Sequence, residues 1–300
     1  MASRGDPTES RTLRRAVLLV LALLLPPAAI PAQEFCASTP PKGQFLVRAF
    51  PKAFFTSDRF SDEGKALNLE DVTGLLYVEL PVQVQYGVTG SLSVGAILPF
   101  GWTYQEVHPD IRIDPIHRFA VREFWLMVQH QWWTYSFLSS SSLRVKIPVM
   151  DKEEWEDGLR IGDGQIDVYP AYFFDYHSED RYWFVKLELG YKYRFRNGDI
   201  KPFDELNFRS VAGFEFLANR KLEGFIFADL TRFRNGDYGE TDRAFFEKDG
   251  SLHTLGYGVS YLPSPDFQIY VETAGDLSGR NRYRGMYWTV GLRRLFGSGG

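Results

Sequence analysis

Cysteine and long hydrophobic runs are scarce in this 300-residue chain. Cys36 is the only cysteine, so no disulfide can form within one molecule. The longest apolar run, residues 16–25, is shorter than the roughly 20 residues that a membrane-spanning helix needs. The 34 basic and 38 acidic residues leave no basic excess for a nucleic-acid partner. These absences argue against a disulfide-framed domain, a helical membrane bundle and a nucleic-acid-binding protein.

Motifs for cofactors and metals are also missing, because the sequence contains neither a nucleotide-binding loop nor a standard metal-binding pattern. Two histidines and two aspartates fall within one segment, at His108, Asp110, Asp114 and His117. Their spacing fits no standard metal site, and solvated loops gather such residues in any protein. We therefore predict no cofactor and no metal site.

His253 is the one candidate for catalysis by a serine–histidine pair. Outer-membrane phospholipases place such a pair on the lipid face, where histidine takes the serine proton. His253 has a lipid-facing position near the outer end of a predicted strand. Its predicted neighbours at that height are Arg232 and Thr273, and no serine is available. We therefore predict that the protein is not an enzyme.

The N-terminal segment has the order of a secretory signal peptide. The apolar run follows Arg11, Arg14 and Arg15 and precedes a stretch rich in proline and alanine. This order predicts export from the cytoplasm. The predicted divisions of the chain are a signal peptide at 1–32, a periplasmic leader at 33–43, a barrel at 44–296 and a tail at 297–300.

A strict alternation of apolar and polar residues over 182–196 is the clearest structural signal. The apolar set is Trp183, Val185, Leu187, Leu189, Tyr191, Tyr193 and Phe195. Period two indicates an extended strand with two distinct faces. Its 15 residues exceed the about 9–11 that a tilted strand needs to cross a bilayer. Aromatic residues at both ends of the apolar face are typical of a lipid-facing strand.

Twelve segments of this kind follow one another between residues 45 and 296. Short links such as 87–90 and 263–266 alternate with longer, charged links such as 105–118 and 151–164. A soluble sandwich also has many strands, but it needs neither so tall an apolar band nor this alternation of link lengths. We predict an all-β protein, an antiparallel transmembrane β-barrel of about 12 strands with both termini in the periplasm.

The same alternation turns charged side chains toward the barrel interior. The predicted lumen-lining and selectivity residues are Lys146, Asp167, Lys186, Glu188, Lys192, Arg194, Arg209, Asp229 and Glu272. These charges either pair and fill a narrow lumen or line a small polar channel, and a twelve-stranded barrel allows both. Near the external end four bases face two acids, which predicts a mild preference for anions.

Several motifs are shared with a known protein family. The first is Tyr86-Gly87-Val88-Thr89, a turn followed by a strand that ends in Leu98-Pro99. The later ones are Lys146-Ile147-Pro148, Gly162-Asp163-Gly164 and Leu189-Gly190-Tyr191. Over about residues 75–196 the chain thus resembles the MetA-pathway phenol-degradation family of outer-membrane transporters. The resemblance implies a barrel that takes up hydrophobic or aromatic compounds.

The end of the chain is similar to the assembly signal of outer-membrane barrels, through Thr289, Gly291 and Phe296. This similarity implies the barrel-assembly machinery as a partner, with outer-membrane lipid and lipopolysaccharide around the barrel.

We predict an outer-membrane protein of a Gram-negative bacterium that passes small aromatic or anionic solutes passively. The alternative is a non-conducting structural or lipid-processing barrel.

Overall fold

The computed structural model describes residues 37–297, except for 62, 69–71, 108–115, 122, 134–136, 150–164, 179–181, 197–200, 217–221, 235 and 237–248. The described residues form fifteen strands. These are β1 (Phe45–Ala49), β2 (Lys52–Phe60), β3 (Ala66–Asn68), β4 (Val72–Gly87), β5 (Leu92–Val107), β6 (Ile116–Val121), β7 (Glu123–Trp133), β8 (Phe137–Pro148), β9 (Asp167–His177), β10 (Trp183–Arg194), β11 (Asp204–Glu215), β12 (Leu222–Arg234), β13 (Gly250–Ser264), β14 (Phe267–Arg280) and β15 (Arg282–Phe296). In this part of the chain no helix is long and apolar enough to cross a membrane.

The strands pair antiparallel in a closed ring. β15 pairs with β1 and β2, and both of these pair with β4, which closes the sheet that runs from β4 to β15. β1 and β2 therefore form one strand position, as do β6 and β7, which both pair with β5. β3 is a short addition to β2. The ring has twelve strand positions, which confirms the predicted barrel.

The interruption between β1 and β2 falls at Phe50 and Pro51. Proline has no N–H to donate to a neighbouring strand, so one ladder hydrogen bond is missing there. The alternation of faces continues across the break, because Arg48, Phe50 and Lys52 all lie on the inward side. The first predicted strand, 45–56, is therefore two strands with a single phase.

The outward and inward faces differ as the alternation predicted. Outward side chains remain exposed, for example Leu189 at 52%, Val271 at 53% and Ile226 at 60%. Inward residues next to two of them are buried, with Glu188 at 8% and Glu272 at 1%. Apolar side chains on the outside and polar ones inside are the arrangement of a lipid-facing barrel wall.

The two ends of the barrel are named here by their connections. The turn end carries the short connections, such as 88–91 between β4 and β5 and 265–266 between β13 and β14. The loop end is opposite. One connection at the loop end is also tight, because Asn281 alone joins β14 to β15 with a φ of 51°. Asparagine adopts this left-handed conformation more readily than most residues.

The assignment of faces can be tested on β10. Leu187 lies outward, halfway between the aromatic residues Trp183 and Tyr191, and Lys186 lies inward. We expect Leu187→Arg to lower the free energy of unfolding by about 2–4 kcal/mol, because it places a charge near the bilayer midplane. Urea unfolding in lipid vesicles would measure this change. Lys186→Gln is the control, and an equal loss in both variants would contradict the assignment.

Candidate lumen site

A cavity of about 270 Å³ occupies the middle and the loop-end half of the lumen. Its charged lining consists of four bases and five acids: Lys52, Arg144, Lys192, Arg209, Glu79, Glu123, Glu188, Glu205 and Asp229. The other lining residues are Pro81, Ile97, Pro99, Trp125, Tyr169, Asn207, Phe208 and Thr231. The cavity therefore presents aromatic and charged groups side by side.

Tyr169 reaches across the interior from β9. Its hydroxyl donates a hydrogen bond to Glu188 Oε1 at 3.1 Å. The ring passes over Gly190, where an added Cβ would lie 2.1 Å from the tyrosine hydroxyl oxygen. Any other residue at 190 would push the ring away. The Arg144 guanidinium carbon lies 5.1 Å from the Tyr169 ring centroid, within cation–π range.

A chain of ion pairs lies beside the cavity toward the loop end. Lys146 Nζ is 2.7 Å from Asp167 Oδ2, and both side chains are almost fully buried. Arg194 Nε is 3.9 Å from the same carboxylate oxygen, and its guanidinium also contacts Glu205. Lys192 Nζ lies 3.0 Å from Glu205 Oε2. The bases that were expected to attract anions are thus partly neutralised by acids within the network.

A second pair joins β11 to β12 across the cavity wall. Arg209 and Asp229 are directly opposite in the strand register, with Arg209 Nε 3.5 Å from Asp229 Oδ1. The guanidinium carbon of Arg209 also lies 4.5 Å from the Phe227 ring centroid. One face of this arginine therefore packs on an aromatic ring while its edge meets a carboxylate.

All nine predicted lumen residues face the interior. Those that line the cavity are Glu188, Lys192, Arg209 and Asp229. Lys146 and Arg194 form ion pairs with the lining residues Glu123 and Glu205, and Asp167 pairs in turn with Lys146 and Arg194. Lys186 and Glu272 lie outside the cavity lining, and the Lys186 ammonium sits 5.1 Å from the Phe184 ring centroid.

Glu205 is the most important residue that the sequence prediction missed. The predicted strand began at residue 206, whereas β11 begins at Asp204. Extending the alternation of Asn207 and Arg209 by one step would have placed Glu205 on the inward face. Its inclusion changes the local count from four bases and two acids to four bases and three acids. Tyr169 also lies at an inward position of the alternation, but the predicted lumen residues were all charged.

The described part of the leader enters the barrel at the turn end. The Ala37 N–H donates to Asp175 Oδ2 at 3.2 Å, and Gln129 Nε2 donates to the Ala37 carbonyl at 3.5 Å. The Thr39 N–H donates to Gln131 Oε1 at 2.7 Å. Ala37 is fully buried and packs in a cluster with Tyr169, Ala171 and Phe173. Residues 37–40 therefore occupy the lumen on the turn-end side of the cavity.

Some predictions concern residues that the structure does not describe. They are the signal peptide 1–32, Cys36, most of the tail, and His108, Asp110 and Asp114 of the long loop. The side chain of His117 also lies outside the described part. Among the described residues, no group of three or more histidine, cysteine, aspartate or glutamate side chains could hold a metal ion.

The surroundings of His253 differ from the prediction. Its partners across the strands are Leu230 and Ser278, whereas Arg232 and Thr273 had been expected. The predicted positions were two residues away from the observed partner on β12 and five away on β14, and the register shift next to His253 accounts for only one residue of this difference. His253 Nδ1 lies 3.0 Å from Ser278 Oγ. The expectation that no serine stands near this histidine was wrong.

Comparison with known proteins supports the fold. The family model described as "Putative MetA-pathway of phenol degradation" matches residues 52–292. The predicted resemblance is thereby confirmed over a longer stretch than the motifs covered. No curated protein matches the sequence.

Solved structures include a similar barrel. The COG4313 outer membrane channel from Pseudomonas putida F1 has a TM-score of 0.74 at 12% identity, covering 89% of this chain and 100% of that one. The NanC porin has a TM-score of 0.49 at 10% identity, covering 83% and 98%. The CymD monoaromatic hydrocarbon channel has a TM-score of 0.43 at 10% identity, covering 86% and 90%. The first likeness shows that the two chains share the barrel fold.

The buried ion pair of Lys146 and Asp167 allows a test of the lumen network. Asp167→Asn leaves the buried ammonium without its nearest carboxylate, so we expect a loss of about 3 kcal/mol in the free energy of unfolding. Glu63→Gln makes the same chemical change in the exposed pair of Glu63 and Lys65 and should cost less than about 1 kcal/mol. Urea unfolding in detergent micelles would compare the two, and equal small losses would contradict the assigned role.

Proposed function

The chain belongs to the MetA-pathway phenol-degradation family, and from this premise we propose that it is an outer-membrane channel for passive passage of small aromatic or anionic solutes. The observation that carries the proposal is the lumen cavity, in which aromatic rings and charged side chains share one wall. The residues proposed to select the solute are the lining residues and the ion-pair network beside them.

The cavity has the size and chemistry for a single substituted aromatic ring. A dry cavity of 150 Å³ in another protein holds benzene, so about 270 Å³ leaves room for a ring with a polar substituent. Trp125 and Tyr169 offer aromatic surface, and Arg144 and Arg209 offer guanidinium groups. Arginine stacks on aromatic rings and binds carboxylates through its planar fork. Glu188 and Asn207 could accept a hydrogen bond from a hydroxyl group.

Charge balance favours solutes with a ring and a polar group over strongly charged ions. The lining has almost equal numbers of acids and bases, so no single sign of charge dominates the field. The anion preference that the sequence predicted would have to arise from the network of Lys146, Lys192 and Arg194. It stays a prediction, which a measurement of the reversal potential tests.

The proposed location is the outer membrane of a Gram-negative bacterium, reached through a cleaved signal peptide at 1–32. The outward apolar face supports contact with lipid and lipopolysaccharide. The pattern at Thr289, Gly291 and Phe296 supports the barrel-assembly machinery as a partner. Nucleic acid is not a proposed partner.

A non-conducting barrel is the second candidate function. The observation that favours it is the filling of the lumen between the cavity and the turn end. Side chains there are almost completely buried, including Phe50, Phe227, Gln83 and Gln85. Single-channel recording of the purified protein in planar bilayers separates the two candidates, because a structural barrel gives no conductance steps.

Removal of the leader should increase the conductance. Deleting residues 33–43 takes away the segment at 37–40 that lies inside the turn end. We expect a severalfold larger single-channel conductance, because these residues fill the narrow part of the lumen. Deletion of residues 298–300 is the control for a shortened chain. Unchanged conductance after the leader deletion would show that other side chains close the lumen.

Ion selectivity should follow the network beside the cavity. Arg194→Glu combined with Arg209→Glu should move the reversal potential in a potassium chloride gradient toward cation preference. Glu205→Gln should move it toward anion preference, because Lys192 and Arg194 lose a shared carboxylate. Glu63→Gln, an exposed residue of a loop-end connection, is the matched control. An unchanged potential in conducting variants would mean that these charges serve only structure.

A further inference from the structure

The outer surface of the barrel changes from apolar to polar at one height on three neighbouring strands near the loop end. The last apolar and first polar outward residues are Leu230 and Arg232 on β12, Leu255 and His253 on β13, and Leu277 and Ser278 on β14. Strand pairing places Leu230, His253 and Ser278 side by side, and Arg232 lies two residues further toward the loop end. The change marks the boundary between the acyl chains and the headgroups of the membrane, where the ester groups of a glycerophospholipid lie.

A β-bulge brings Ser278 to this surface. β13 and β14 pair regularly up to Thr254 and Asp276, and the next pair is His253 with Ser278. Leu277 has no partner of its own on β13, and both Leu277 and Ser278 face outward. In a regular strand the alternation would turn Ser278 into the lumen, so the bulge re-aims this side chain outward.

Asp276 holds the bulge from inside the barrel. Its Oδ1 accepts a hydrogen bond from Thr254 Oγ1 at 2.6 Å. Its Oδ2 accepts one from the Gly285 N–H at 2.9 Å and one from the Tyr287 hydroxyl at 3.3 Å. The carboxylate thus ties β13, β14 and β15 together at the position where the register shifts. The outward position of Ser278 is therefore fixed by contacts on the other side of the wall.

The exposed pair of Ser278 and His253 has the contact of an activated nucleophile. Ser278 Oγ lies 3.0 Å from His253 Nδ1, and both residues are exposed on the lipid-facing surface. When Nε2 carries the ring proton, Nδ1 accepts the hydroxyl proton and can remove it during attack.

A groove of about 550 Å³ lies next to the pair, although neither His253 nor Ser278 lines it. Its apolar lining residues are Phe55, Ile226, Leu255, Tyr257, Leu277 and Met286, and its polar ones are Thr56, Ser57, Asp58, Asp276 and Arg284. Leu277 precedes Ser278 in sequence, and Leu255 is two residues from His253 on the same outward face. The groove therefore runs from the pair into the apolar band, where an acyl chain would extend.

Two arginines stand on the opposite side of the pair, toward the loop end. Arg232 and Arg280 are both exposed and both pair in register with Ser251, which lies two residues beyond His253 on β13. Guanidinium groups bind phosphate through paired, charge-assisted hydrogen bonds. Three features therefore follow one another along the wall: the groove, the serine–histidine pair and the two arginines. Their order matches the acyl chain, the ester and the phosphate of a phospholipid.

We propose that Ser278 and His253 hydrolyse an acyl ester of a glycerophospholipid in the leaflet at the loop end. The acyl chain lies in the groove beside Leu255 and Leu277, and the lipid phosphate contacts Arg232 and Arg280. This activity is separate from passage through the lumen, because the pair lies on the outer face of the wall.

The reaction takes two steps, with water as the second reactant. Ser278 Oγ attacks the ester carbonyl carbon while its proton moves to His253 Nδ1. The bond from that carbon to the glycerol oxygen breaks, and the glycerol oxygen takes the proton from His253. Water then attacks the acyl-serine ester, passes a proton through His253 to Ser278 Oγ, and releases the fatty acid. Within the described residues His253 makes no second hydrogen bond, so no carboxylate steadies its charged form and turnover is slow.

The test measures fatty-acid release from vesicles of 1-palmitoyl-2-oleoyl-phosphatidylethanolamine that contain the purified mature protein. Mass spectrometry would quantify palmitate, oleate and the lysophospholipids. Ser278→Ala and His253→Ala should each reduce the release rate at least about a hundredfold. Ser264→Ala removes an exposed serine at the turn end of β13, the strand that carries His253, and should leave the rate unchanged. Equal release by the wild type and Ser278→Ala would overturn the proposal.

A covalent probe provides a second readout that does not depend on turnover. Hexadecanesulfonyl fluoride should modify Ser278 of the wild type, and peptide mapping would locate the adduct. The modification should disappear in His253→Ala, because the hydroxyl loses its base. Absence of an adduct at Ser278 in the wild type would also overturn the proposal. Single-channel conductance should be the same in Ser278→Ala and the wild type, so failure of the lipid reaction is distinguishable from failure of the channel.

Discussion

Closure of the hydrogen-bonded ring between β15 and the β1–β2 position is the constraint on which the rest of the structure depends. A sheet edge in hydrocarbon leaves backbone N–H and C=O groups without partners, at a cost of several kcal/mol each. A closed ring has an inside and an outside, so each strand must alternate between lipid-compatible and lumen-compatible residues. The period-two pattern of residues 182–196 follows directly from this requirement.

The enclosed lumen imposes a second requirement, because charges inside a narrow barrel are partly removed from water. Such charges are tolerated when they are paired. For this reason Asp167 and Glu205 form ion pairs with Lys146, Lys192 and Arg194. The network that stabilises the barrel is therefore also the set of charges beside which a solute would pass. Residues 37–40 fill part of the remaining space through hydrogen bonds to inward side chains.

The alternation of apolar and polar residues predicted the fold and the direction of the side chains, because the position of a residue in its strand determines which face it lies on. The nine lumen residues were found in this way. Parity could not place residues that depend on distant partners. Thr39 pairs with Gln131, 92 residues away. The bulge at Leu277 is held by hydrogen bonds that the Asp276 carboxylate accepts from the Gly285 N–H and the Thr254 hydroxyl, and it reverses the parity of every later residue on that strand. Glu205 was missed for a simpler reason, the uncertain start of a strand.

The bulge also shows how one strand can carry two unrelated chemistries. The wall of a β-barrel is one residue thick, so Asp276 in the lumen and Ser278 on the lipid face are only two positions apart. In a regular strand both would point to the same side. The bulge turns both Leu277 and Ser278 outward and so places Ser278 on the opposite face from Asp276, whose carboxylate holds the bulge from within. Polar residues near the loop end can thus be divided between a channel interior and a lipid surface through a one-residue shift in the pairing of β13 with β14.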